Sequence, residues 1–180
     1  FHPTGLLVRV PDSLSSDEIT TLSKKIESYK VDYVGLSLHL DGLAVESVKG
    51  DAASFAAAVA AATGSAMPLV LVTEDPDIMA AGLAKTGSVT PLLCSATASN
   101  WEAMAKLAKE HKAPLAVRAA SLGELADLTE KLTAAGVEDL VLNPDQRAFS
   151  GSLVAMTQIR RLALKKNLRE LGYPIITFPY

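Results

Sequence analysis

The chain has one cysteine, Cys94, in 180 residues. A single thiol excludes an internal disulfide and any iron–sulfur cluster held by the chain's own cysteines. Aromatic residues are scarce at 5%. Positive charge is not in excess: 17 Lys and Arg stand against 20 Asp and Glu, a net charge of −3. That balance argues against nucleic acid or an anionic membrane as the main partner. No apolar run reaches the roughly 18 residues of a membrane span, and no signal peptide is visible. A P-loop is absent, and no G-x-G-x-x-G follows the first strand-like run, so a nucleotide site has no signature. A cytoplasmic setting is expected from the cysteine usage. The chain starts at Phe1 rather than Met, which reads as a piece of a longer protein.

What is present is alternation. Apolar, strand-like runs cover residues 6–10, 33–39, 69–73, 92–97, 115–119, 139–142 and 175–178. Helix-like segments lie between them at roughly 15–30, 51–63, 76–86, 99–111, 121–135 and 150–171. Strict strand–helix alternation predicts a parallel sheet with helices packed outside it. The short, even spacing of the third to sixth runs favours a (βα)8 TIM-barrel-type fold over an open doubly wound sheet. With seven strands and six helices the barrel is incomplete. Residues 1–180 read as one partial barrel domain with no internal linker. A sheet with open edges is expected to pack against a neighbour or a second copy.

Helix starts are legible. Ser15 with Glu18, Ser99 with Glu102 and Ser121 with Glu124 each fit a capping box, and Asp75-Pro76 fits an N-cap followed by Pro at the first helical position. Gly64, Gly87, Gly136 and Gly172 sit at the helix ends, where a left-handed cap is common.

Barrel chemistry sits at the C-terminal ends of strands. The runs place His39 and Asp41 there, then Thr73, Glu74 and Asp75, then Thr97 and Asn100, then Arg118, then Asn143 and Asp145. The irregular stretch 40–50, with Glu46, is the longest loop and the first place to look for binding. Glu74 and Asp75 could act as an acid/base pair or bind a metal, but adjacent side chains diverge and Asp75 is wanted as a cap. His39 with Asp41 could form an oriented base, although a lone His at a strand end is more simply a loop hydrogen-bonding group. Cys94 lies inside an apolar run and reads as a small core residue. Trp101 reads as packing, while His2 and His111 lie in a lead-in and at a helix end. The run Arg160, Arg161, Lys165, Lys166 and Arg169 near a helix C-terminus is favoured by the helix dipole, with docking of an acidic partner as the sharper alternative.

Several stretches resemble one family. Residues 69–77 (Leu-Val-Leu-Val-Thr-Glu-Asp-Pro-Asp), residues 91–97 (Pro-Leu-Leu-Cys-Ser-Ala-Thr) with 100–104 (Asn-Trp-Glu-Ala-Met) and 107–108 (Leu-Ala), and 158–166 with 171–174 and 178–179 are similar, in order, to the large (gamma) subunit of the corrinoid iron–sulfur protein of the acetyl-CoA decarbonylase/synthase system. The resemblance implies a central barrel between an N-terminal [4Fe–4S] domain and a C-terminal corrinoid (cobalamin) domain, neither of which this chain matches. It implies a scaffold in a methyl carrier between a methyltetrahydropterin-dependent methyltransferase and acetyl-CoA synthase, paired with a smaller barrel subunit. No catalytic, cofactor or metal residue of that family carries over to a position here. The competing expectation is a self-contained barrel enzyme that binds a pterin or another small anion among Glu74, Asn100, Arg118 and Asn143.

Overall fold

The computed structural model describes residues 4–178. It is an α/β fold with six parallel strands and six helices, divided into two compact units, 1–92 and 93–180.

In the first unit, β1 (Leu7–Pro11) leads to α1 (Ser16–Glu27). An antiparallel hairpin of β2 (Lys30–Tyr33) and β3 (Leu36–His39) follows. Then come β4 (Gly42–Glu46), α2 (Ala52–Ala62), β5 (Leu69–Val72) and α3 (Pro76–Leu83). The parallel order is β1-β4-β5, with Leu7 opposite Gly42 and Leu43 opposite Leu69. In the second unit, β6 (Leu92–Ala96), α4 (Trp101–His111), β7 (Leu115–Arg118), α5 (Leu122–Ala134), β8 (Leu140–Asn143) and α6 (Phe149–Lys165) continue the alternation. Here the order is β6-β7-β8.

The expected fold class holds, while two of the seven predicted strands move. Residues 33–39 are not one strand. Val34 and Gly35 both take positive φ, 49° and 78°, the signature of a two-residue type I′ turn. That turn folds the run back on itself, with Tyr33 opposite Leu36. The parallel strand lies instead in the stretch expected to be loop: β4, Gly-Leu-Ala-Val-Glu, is buried along most of its length. The last run, 175–178, contributes a single parallel bridge, Leu142 to Ile175. The sixth helix is also shorter than expected. It ends at Lys165, Asn167 turns left-handed at φ 54°, and a separate 3-10 turn, Arg169–Leu171, follows.

Most expected caps form. Glu18 N–H donates to Ser15 Oγ at 3.4 Å while Ser15 N–H donates back to Glu18 Oε2 at 2.9 Å, a complete capping box. The Ser15 hydroxyl and amide hold the Glu18 carboxyl below its usual range. Asp51 caps α2, and the Ser54 amide lowers its pKa in the same way. Asp75 caps α3 ahead of Pro76 by accepting from the Asp77 and Ile78 amides. Ser121 Oγ accepts from the Glu124 amide at 3.2 Å. The box expected at Ser99 does not form: Asn100 is the N-cap of α4, and its side chain makes no cap bond. Gly87 and Gly136 take positive φ as expected. Gly64 and Gly172 do not, the latter standing at φ −87°; α4, for which no glycine is expected, closes on left-handed Lys112.

Each unit has its own apolar core. In the first, Val10, Ile19, Leu43, Val45, Phe55, Val59, Leu71 and Met79 are fully or almost fully buried. In the second, Leu93, Met104, Leu115, Val117, Leu125, Leu132, Leu142 and Ile159 are. Ala-rich α2 and Gly82 on α3 allow close helix packing: a Cβ at Gly82 would lie 2.5 Å from Phe55 Cε1. Gly82→Ala therefore has to displace a buried ring. Despite the better helix propensity of Ala, it is expected to destabilise the chain by about 1–3 kcal/mol in urea unfolding. Phe55→Leu in the same chain should recover part of that loss. A stabilised Gly82→Ala chain would show that the contact is not tight.

Candidate functional site

The C-terminal ends of the parallel strands are where this fold class exposes polar side chains from successive elements. In the first unit the centre of that end is Asp12, directly after β1. It is 2% exposed. Its Oδ1 accepts from the amides of Val48 and Lys49 at 2.9 and 3.1 Å, and its Oδ2 from Ser47 Oγ at 3.3 Å. Its own N–H donates to Glu46 O at 2.9 Å. A buried carboxylate is tolerable only when its oxygens are satisfied in this way. Asp12 thus ties the end of β1 to the loop after β4. Beside it, Arg9 on β1 pairs with Glu46 on β4. Further along, Thr73 Oγ1 accepts from the Asp75 amide at 3.2 Å while Asp75 caps α3.

His39 and Asp41 are not at this end. Both precede β4, whose first residue lies opposite the first residue of β1, so they sit where the strands begin. Asp41 Oδ2 accepts from Leu6 N–H at 2.7 Å, and its Oδ1 lies 3.1 Å from His39 Nε2. Asp41 N–H also donates to Leu6 O at 2.8 Å. The pair pins the start of the sheet; its expected place at the functional end followed from taking residues 33–39 as the second parallel strand.

In the second unit the strand ends are bound in the same fashion. Asn100 Oδ1 accepts from Thr97 N–H at 2.6 Å and from Thr97 Oγ1 at 3.1 Å, while Nδ2 donates to Ser95 O at 3.3 Å. Asn143, buried, lies opposite Arg118 across β8 and β7. Its Oδ1 accepts from the Asp145 amide at 3.0 Å. Asp145 takes a left-handed φ of 49°, which brings its Oδ1 to 4.0 Å from Arg118 Nη1. The Arg118, Asn143 and Asp145 side chains therefore meet at the ends of neighbouring strands, as expected. Their reach is largely spent on each other and on the chain.

Of the four side chains expected to line one ligand site, Glu74 falls in the first unit and Asn100, Arg118 and Asn143 in the second. Cys94 is 1% exposed inside β6, in keeping with a core residue. His111 ends α4 and is exposed, Trp101 opens α4 half-buried, and His2 lies outside the described residues. In the basic run, Arg160 and Arg161 are exposed on α6, Lys165 is in its last turn, and Lys166 and Arg169 lie beyond it. Among the described residues no three His, Cys, Asp or Glu side chains are grouped to hold a metal ion. One buried thiol does not fit a four-thiolate cluster. Nor is any helix among them long and apolar enough to cross a membrane. Sequence reasoning missed Asp12; its signal was an Asp at the first turn after a strand, ahead of the Ser-rich start of α1.

Asp12→Ala removes the acceptor for two loop amides. It is expected to destabilise the chain by about 1–3 kcal/mol, and hydrogen exchange at Val48 and Lys49 should accelerate selectively. Unchanged stability and unchanged exchange would mean that Asp12 does not brace the loop.

Comparison with known proteins fits this architecture. The fold resembles that of a crystal structure of dihydropteroate synthase from Thermus thermophilus, a TIM barrel, with TM-score 0.66 and 16% identity, covering 96% of this chain and 69% of that one. At that identity the likeness is one of fold. The family profile described as CO dehydrogenase/acetyl-CoA synthase delta subunit matches residues 1–180. The corrinoid/iron–sulfur protein large subunit of Moorella thermoacetica is 42% identical over 98% of this chain. The acetyl-CoA decarbonylase/synthase complex subunit gamma of Archaeoglobus fulgidus is 33% identical over 99% of it. The chain spans 40% and 39% of the lengths of these two relatives. It belongs to the CO dehydrogenase/acetyl-CoA synthase delta subunit family, and its curated relatives are the large subunit of the corrinoid/iron–sulfur protein and the gamma subunit of acetyl-CoA decarbonylase/synthase.

Proposed function

We propose that residues 1–180 are the central scaffold and interaction barrel of a corrinoid iron–sulfur methyl carrier in cytoplasmic one-carbon metabolism. In this reading the whole protein passes a methyl group from a methyltetrahydropterin to acetyl-CoA synthase. The cobalt chemistry belongs to a corrinoid and a [4Fe–4S] cluster held outside these residues, and the barrel positions those parts and docks the small subunit. The observation that carries the reading is the internal use of the strand-end polar groups. Asp12, Asp75, Asn100 and Asn143 each accept from nearby main-chain amides, which is how structural residues behave. The names and identity of the relatives support the same reading. The rival, a self-contained enzyme for a pterin or other small anion, gains nothing from side chains committed in this way, and fold likeness to a dihydropteroate synthase does not carry its activity.

The test is to mix the purified chain with the small subunit of a corrinoid iron–sulfur protein and analyse the mixture by native mass spectrometry with metal analysis. A one-to-one complex in which this chain brings neither iron nor cobalt is expected. A chain that ignores the small subunit, or that turns over a methylated pterin alone, would overturn the reading.

A further inference from the structure

We draw no further inference here: the strongest candidate, the surface patch of exposed cations Arg160, Arg161, Lys165, Lys166 and Arg169 along the end of α6 and the turn after it, carries nothing because nothing in the structure shows what covers it.

Discussion

Every parallel strand here ends by handing the chain to a loop and then a helix, and the peptide groups at that junction have no ladder partner. Their satisfaction is the constraint on which the rest depends. The chain meets it with short polar side chains placed close to the strand ends: Asp12 after β1, Asp75 after β5, Asn143 at the end of β8, and Asn100 at the mouth of α4. Each accepts from an amide within its own junction or, for Asp12, from the junction of the adjacent strand. The apolar cores beneath supply the larger share of stability, but they fix the strands in register only because the junctions above them are closed.

This economy bears on function. The end of a βα fold where enzymes place their chemistry is, in this chain, occupied by groups at work on the backbone. An acceptor oxygen already taking two amides has little left for a ligand, and the Arg118–Asp145 pair balances its own charge. Such an end is in keeping with the scaffold role proposed above.

Much of this was legible in the sequence, for identifiable reasons. Continuous apolar runs such as 69–72 and 115–118, bracketed by Ser, Asp and Gly at helix boundaries, specify buried parallel strands with few alternatives. The misreading at 33–39 has a physical cause. Val34-Gly35 lacks the Asn or Asp usual in a type I′ turn, so a run of high strand propensity looked like one strand. The true strand, Gly42–Glu46, is only five residues long. Its small Leu-Ala-Val centre was outweighed by the longer neighbouring run. That single slip carried His39 and Asp41 to the wrong end of the sheet. The capping box expected at Ser99 with Glu102 fails for a different reason: the turn at Thr97 makes Asn100 the N-cap of α4, and its side chain turns back to Thr97 and Ser95 rather than to the helix amides. Asp12 was missed because burial depends on the loop after β4, contributed from 36 residues away at Val48.

The most direct test of the central claim, that the strand-end groups serve the fold rather than a ligand, is an amide-resolved NMR titration of the chain with a methyltetrahydropterin. The account predicts no saturable shift at Asp12, Thr97, Asn100, Asn143 or Asp145. A saturable shift confined to those amides would contradict it and make this end of the sheet a binding site.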